Sequence, residues 1–350
     1  MNTNYSPIGD YIRLVDERNT NSQASTLLGV SINKYFMPSV ANVIGTDLTK
    51  YKVIRKHQFA CSLMQVSRDE KIPIDCLTDY EIAMVSPAYY VFEVIDTDKL
   101  MPEYLSMWFK RSEFDREASF LGVGGVRGSM TWDDFCGMKF PVPPLDKQKS
   151  VVKAYQAITD RIALKRAIND NLEATAQALF NEMFHKSDEW NTGTLVDLMD
   201  FKNGKSRPDT SGDIPVYGGN GVLSRVDCSN AENVVVIGRV GAYCGSLYLE
   251  TGVCWVSDNA IYAKSKHCDY EYFDYYLLRS LALSDHHIGT GQPLLTQGIL
   301  NGVESPIPNV DAIHLFNECA KPLFDTITEN SNEAKALETT QGVFLSNLTR

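Results

Sequence analysis

Two stretches of this chain place apolar residues at alternating spacings of three and four. In the first, the seam falls on Val151, Tyr155, Ile158, Ile162, Lys165, Asn169, Leu172, Ala176, Leu179 and Met183, of which eight are apolar. Adding 165 to each number gives Phe316, Ala320, Leu323, Ile327, Asn330, Ala334, Leu337, Gln341, Phe344 and Leu348, again with eight apolar. Such spacing marks the buried face of a coiled-coil helix. It predicts two helices of about 38 residues, each about 57 Å long at ~1.5 Å per residue. Antiparallel pairing would bury both seams. Lys165, Asn169 and Asn330 put polar groups into the seams, which weakens an apolar contact but can fix its register.

A proline-rich turn precedes each helix: "PVPPLDKQKSVV" from Pro141 and "SPIPNVDAIHLF" from Ser305. Proline disfavours helix in the residue before it and supplies no N–H. Asp146 and Asp311 stand where a carboxylate can cap the first turn, and Pro322 predicts a kink or a late start in the second helix. The offset of 165 also reaches upstream, setting Thr131 against Thr296 and Phe135 against Leu300. The starts "PIGDYI" from Pro7 and "TLVDLM" from Thr194 are alike as well. The expected order is a globular domain (1–145), a helical spacer (146–186), a second globular domain (187–308) and a second helical spacer (309–350). Strand-like runs such as "YYVFEVI" and "NVVVIGRV" beside short helices such as "PEYLSMWFKRSEF" and "YEYFDYYLLRSLAL" predict a mixed sheet with a few helices in each domain. The fold class is α/β (mixed α+β). Its two globular domains are expected at opposite ends of an antiparallel pair of long coiled-coil helices, related by a pseudo-twofold.

Charge complicates any nucleic-acid reading. The net charge is −11. Residues 1–145 hold 15 basic and 18 acidic groups, and 146–186 hold 7 and 5. Residues 187–308 hold 8 and 15, and 309–350 hold 3 and 6. A DNA-binding surface must therefore be a local patch or be supplemented by a basic partner. The eight cysteines include no C-x-x-C pair and no histidine cluster with zinc spacing, as expected for reduced thiols in a cytoplasmic protein. Neither a signal peptide nor a transmembrane helix is expected, and no membrane association.

The segment "FPVPPLDKQKSVV…INDNLEATAQALFNEMF" resembles the central helix region of specificity (S) subunits of type I restriction–modification enzymes. "DIPVYGGNG", "VVVIGRVGAYCGSLYL", "WVSDNAIYA" and "TGQPLLTQGILNGVESPIP" are similar to a target-recognition domain of that family. The first half resembles another recognition-domain subtype, in "LLGVSINKYF", "DLTKYKVIRKHQFA" and "GGVRGSMTWDDF". The last helix is the weaker match, with "NVDAIHLF" where the first has "PLDKQKSVV". The resemblance implies a subunit without catalytic activity that reads a bipartite site in double-stranded DNA, one half-site per domain. The helix pair would serve as spacer and hold two methyltransferase (M) subunits. Those partners use S-adenosylmethionine, no cofactor is bound by this chain, and a restriction (R) subunit can join.

Bases are read by Arg, Lys, Asn and Gln, and phosphates by cations, hydroxyls and amides. The DNA-binding candidates are Lys34, Lys50, Lys52, Arg55, Lys56 and Arg127 in the first domain. In the second they are Lys202, Lys205, Arg207, Asn220, Arg239 and Gln292. Each competes with a plainer role as a surface charge or turn residue. Lys165 and Arg166 are candidates for partner binding on the outer face of the first helix. The glycine-rich run "GVGGVRG" lacks dinucleotide-binding spacing, and no P-loop is present. Neither His57 with Cys61 nor His286 with His287 has a recognisable nucleophile context. An enzyme of unfamiliar active site, a methyltransferase or nuclease, is the alternative from another class.

Overall fold

The computed structural model describes residues 5–39, 45–64, 66–123, 129–184, 190–267, 270–289 and 291–348. The chain forms two compact units, Met1–Leu164 with Glu333–Arg350, and Lys165–Asn332. Each unit contains a globular part and a portion of both long helices.

In the first unit a short antiparallel ribbon joins β1 (Tyr5–Pro7) to β10 (Lys139–Pro141). One four-stranded sheet has the order β2 (Ile12–Val15), β9 (Tyr90–Val94), β6 (Phe59–Cys61), β7 (Ile74–Cys76). The other has the order β4 (Phe36–Pro38), β3 (Leu27–Val30), β8 (Ile82–Val85), β5 (Lys52–Arg55), with β3 and β8 parallel. Four helices accompany them: α1 (Val66–Asp69), α2 (Pro102–Phe109), α3 (Ser112–Gly122) and α4 (Trp132–Gly137). The core is aromatic. Phe59 and Phe92 stack at 5.0 Å, and Phe109, Phe114 and Phe135 are buried beside them.

The first long helix, α5 (Leu145–Phe184), runs for 40 residues. Its docking to the first unit rests on Gln148, which is fully buried. The Gln148 amide donates to the Lys99 and Pro143 carbonyls at 2.8 Å and accepts from the Met101 N–H at 2.9 Å. Met101 is the N-cap residue of α2, so a side chain of the long helix satisfies an orphan donor at a domain helix.

In the second unit a six-stranded sheet has the order β12 (Met199–Asn203), β17 (Ala260–Ser265), β15 (Ala231–Gly238), β16 (Leu247–Val256), β13 (Ile214–Gly218), β14 (Gly221–Val226). Only β13 and β16 pair in parallel. A ribbon joins β11 (Asn191–Thr194) to β18 (Glu304–Ile307), and the helices are α6 (Leu195–Leu198), α7 (Glu271–Ser280), α8 (Gln297–Asn301) and α9 (Val310–Ser346). Here the docking amide is Asn317 of α9, buried in the same way. Its Oδ1 accepts from the N–H groups of Tyr272 and Phe273 at 3.2 Å, in the first turn of α7, and its Nδ2 donates to Ile313 at 2.8 Å. Phe180 of α5 packs at 5.6 Å from Phe316 of α9 and 5.8 Å from Tyr276 of α7.

The repeat seen in the sequence is a repeat of this frame. Thr131 caps α4 and Thr296 caps α8 through their hydroxyls. Phe135 and Leu300, one turn later, are both fully buried. Strands β10 and β18 follow, each paired with the first strand of its own domain, and each leads to a long helix. The sheets themselves differ. Two details depart from expectation. Asp146 and Asp311 lie inside the first turns, where they favour the helix dipole, while the second cap is Asn309, whose Oδ1 accepts from Ala312 N–H at 2.7 Å. Of the kink or late start expected at Pro322, the late start does not occur: helix α9 begins at Val310 and continues through Pro322.

The two helices run antiparallel. In the first unit Tyr155 meets Phe344 at 6.3 Å between ring centroids, Gln341 donates to Thr159, and Arg161 pairs with Glu333. In the second unit the three polar seam residues come together. Lys165 Nζ donates to Asn330 Oδ1 at 2.8 Å, and Asn330 Nδ2 donates to Asn169 Oδ1 at 2.9 Å. Asn169 Nδ2 in turn reaches the Ile327 carbonyl and the Ser331 hydroxyl. Lys165 and Asn330 are repeat counterparts, so this bond marks the midpoint of the pair. A slip by one turn would set amides against apolar side chains. Replacing Asn330 alone with Leu removes an acceptor of Lys165 and a donor to Asn169. It should cost about 1–3 kcal/mol. Adding Lys165→Leu and Asn169→Leu should recover stability beyond the single variant, because a fully apolar layer needs no polar partner. Denaturant unfolding followed by helical circular dichroism checks this; a triple variant no more stable than the single one contradicts it.

Asp274, in α7, is 2% exposed, and neither carboxylate oxygen has a hydrogen-bond partner of normal geometry among the described residues. Burial pushes its pKa up to about 7, partly offset by the Ser265 hydroxyl. Its folded pKa exceeds its unfolded value, so the folded state holds the proton more tightly. Stability is therefore greatest below about pH 4 for this group and falls as pH rises through about 7, by up to about 4 kcal/mol. Asp274→Asn should remove this slope and stabilise the protein more at pH 8 than at pH 5. Equal gains at both pH values, read by urea denaturation, would count against the assignment.

Candidate nucleic-acid interface

Five loops of the second unit meet at one rim of the six-stranded sheet. The β15 end brings in Gly238 and Arg239, with the Arg239 N–H bonded to the Asn259 carbonyl at 3.1 Å. The β13–β14 hairpin brings in Gly219, whose carbonyl accepts from the Ser246 hydroxyl at 2.5 Å. The β12 end brings in Lys205, whose N–H bonds to the Val256 carbonyl at 3.0 Å and whose carbonyl accepts from the Trp255 indole. The loop from Ile288 to Leu294 closes on itself through two backbone bonds of 3.0 Å and attaches through Gly241 N–H to the Pro293 carbonyl. Two glycines make the closeness possible. A Cβ on Gly204 would lie 1.9 Å from the Ser257 carbonyl oxygen, and one on Gly238 would lie 2.0 Å from that of Tyr243.

The candidates of the second domain all lie on or beside this rim. Asn220 is exposed at the hairpin tip, before Gly221 with φ 79°. Gln292 is exposed in the loop that needs Gly289 at φ 92°. Lys202, Lys205 and Arg207 are exposed along and just beyond β12, an edge strand. Arg239 is half-buried, and its Nε is buried with no hydrogen-bond partner. Among the described residues, no carboxylate lies within salt-bridge distance of Lys202, Lys205, Arg207 or Arg239.

The first unit is different: each described cationic candidate already has a carboxylate. Lys34 must be withdrawn. It is 6% exposed, pairs with Asp115 at 2.7 Å, donates to the Phe109 carbonyl and lies over the Phe114 ring. Burial lowers its pKa, opposed by Asp115. Its role is to bind the β3–β4 turn to α2 and α3. Lys52 is largely covered too, donating to the Tyr89 carbonyl at 2.9 Å and lying 3.5 Å from Asp16. Arg55 pairs with Glu17 at 2.8 Å, Lys56 with Glu81 at 2.6 Å and Lys50 with Asp47 at 3.6 Å. The Arg55 guanidinium holds Glu17 below the usual carboxylate range. These three remain exposed, but their charge is locally balanced. Arg127 lies outside the described residues. On the long helix, Arg166 is exposed, whereas Lys165 is not on the outer face, since its ammonium is bonded into the seam.

Three rim residues escaped sequence reasoning. Tyr243 is 49% exposed, Asn259 is exposed, and Ser257 has a buried hydroxyl without a partner. Tyr243 and Asn259 stand in the glycine-flanked and turn segments "GRVGAYCGS" and "WVSDNA", so loop position was the available signal. Together the rim and its edge offer amide donors and acceptors, four cations and an aromatic ring. Such groups suit hydrogen bonding to base edges and phosphates.

Residues 77–174 and 187–338 match the sequence model of a family described as the type I restriction modification DNA specificity domain. A Methanocaldococcus jannaschii protein assigned as the MjaX type I restriction enzyme specificity subunit is 29% identical over 87 residues, which is 25% of this chain and 20% of that protein. The type I restriction enzyme HindI specificity subunit of Haemophilus influenzae is 23% identical over 154 residues, 43% of this chain and 33% of that protein. The matched segments thus span a third or less of these curated relatives. The fold is similar to that in the crystal structure of the type I restriction-modification system S subunit from M. genitalium, with a TM-score of 0.61, 14% identity, and coverage of 98% of this chain and 96% of that one.

Proposed function

The chain belongs to the family of type I restriction–modification DNA specificity domains, and from this premise we propose that it is the non-catalytic, sequence-reading subunit of such a complex. Each globular domain would read one half of a bipartite site in double-stranded DNA. The long helices would set the gap between halves and dock methyltransferase subunits, two of them if the repeat is used twice. Those subunits would supply S-adenosylmethionine chemistry, and a restriction subunit would add cleavage. The observation that carries the reading is the rim, where cations without carboxylate partners stand among exposed amides on a protein of net charge −11.

That charge also shapes the expected behaviour. Electrostatic attraction to phosphates supplies most non-specific affinity, and this chain has few uncompensated cations. The isolated chain should therefore bind DNA weakly and with strong salt sensitivity, and the assembly with methyltransferase should bind tightly and specifically. Lys205→Glu and Arg207→Glu should weaken binding of the assembly to all sequences alike. Each should lower the salt slope by roughly 0.9 per lost phosphate contact. Gel-shift titrations at two salt concentrations, with and without partner, test this. Tight specific binding by the lone chain, unaffected by Lys205→Glu, would overturn the site.

A further inference from the structure

Resting on the reading above, we propose that Arg239 reads a guanine in the half-site recognised by the second domain. Its surroundings set it apart from most other arginines, and its burial sets it apart from the exposed Arg207, which also has no carboxylate partner among the described residues. Arg13, Arg18, Arg55, Arg68, Arg116 and Arg161 all have carboxylate partners. Arg111 is as buried as a core residue, but it lies 3.5 Å from Glu113 and stacks 4.2 Å over the Trp108 ring. Arg239 has none of this compensation among the described residues, yet its Nε is buried. A buried donor without an acceptor is costly, and native proteins retain few of them. The terminal amines of the same guanidinium are not buried and make no hydrogen bond among the described residues, so they are open to an acceptor from outside the chain.

The backbone of Arg239 is held from both sides. Its N–H bonds to Asn259, and its carbonyl accepts from Leu295 N–H at 2.9 Å and from the Cys244 thiol at 3.4 Å. The preceding Ile237 is fully buried in β15, and Gly238 admits no side chain. The arginine is thus fixed at the floor of the rim, between the exposed tips carrying Asn220 and Gln292. Phosphate contacts fall more naturally to Lys202, Lys205 and Arg207, which are exposed and unconstrained on the sheet edge. A guanidinium carried on a backbone held in this way, beside exposed amides, instead matches the paired O6 and N7 acceptors of guanine in the major groove, the commonest specific contact of arginine with DNA.

The test uses the assembled complex. Single-molecule methylation sequencing of cells carrying Arg239→Ala should show one guanine position of one half-site becoming degenerate, with the other half-site unchanged. In gel shifts with the assembled wild type, 7-deazaguanine, which lacks N7, should weaken binding roughly 10- to 100-fold at that position. The same substitution should have no further effect on Arg239→Ala. If Arg239→Ala fails to assemble, Arg239→Lys takes its place, with a reduced rather than abolished 7-deazaguanine effect expected. Uniform weakening on all sequences, or indifference of the wild type to 7-deazaguanine at every guanine, would overturn the inference by making Arg239 a phosphate contact or no contact. Those results leave the recognition role intact. That role itself fails if the wild-type assembly confers no sequence-specific methylation.

Discussion

The hydrogen-bonded layer of Lys165, Asn330 and Asn169 is the interaction on which the rest of the structure depends. Apolar seams alone would tolerate several registers, because leucine and isoleucine pack nearly as well one turn away. The amides and the ammonium do not, since each loses its partner on any shift. With the register fixed there, Tyr155 meets Phe344 and Gln341 meets Thr159 in the first unit, and Phe180 meets Phe316 in the second. Each long helix then presents its docking amide, Gln148 or Asn317, to a domain helix. Burying an amide is favourable only when its hydrogen bonds are made, so each docking is specific as well as apolar.

The distribution of charge separates the two globular domains. In the first, cations are balanced by neighbouring carboxylates, and Lys34 is folded into the core. In the second, cations gather around a rim of glycine-bounded loops without such neighbours among the described residues. The second rim can therefore draw on DNA phosphates without first breaking an ion pair, whereas Arg55 or Lys56 would have to exchange Glu17 or Glu81. On the proposed function, this asymmetry fits an acidic chain that would draw on a partner for much of its attraction to DNA.

Much of the frame was legible in the sequence because it rests on short-range chemistry. Thr131 and Thr296 fall in step at the 165-residue offset, the prolines announce the approach to the long helices, and heptad spacing announces their seams. What was not legible rests on tertiary environment. Phe180 lies off the seam, but near its end α5 packs on the domain core as well as on α9. Gln148 and Asn317 perform the same docking from positions that the 165-residue offset does not relate, so no alignment of the halves links them. Lys34 and Lys52 look like surface cations until Asp115 and the Tyr89 carbonyl are seen to receive them. On the rim, residue types suggested Arg239 and Lys205, whereas Tyr243 and Asn259 become visible only when the loops meet.

The most direct measurement of the central claim is the gap in the methylated motif after lengthening both helices in matched register. Four residues added to each at facing positions of the antiparallel pair, one near Leu172 and the other near Leu323, extend the pair by about 6 Å. That is about two base pairs of duplex at ~3.4 Å each. The account predicts that sequencing of methylated DNA will show both half-sites unchanged and the gap enlarged by one or two base pairs. An active variant whose gap is unchanged would contradict it.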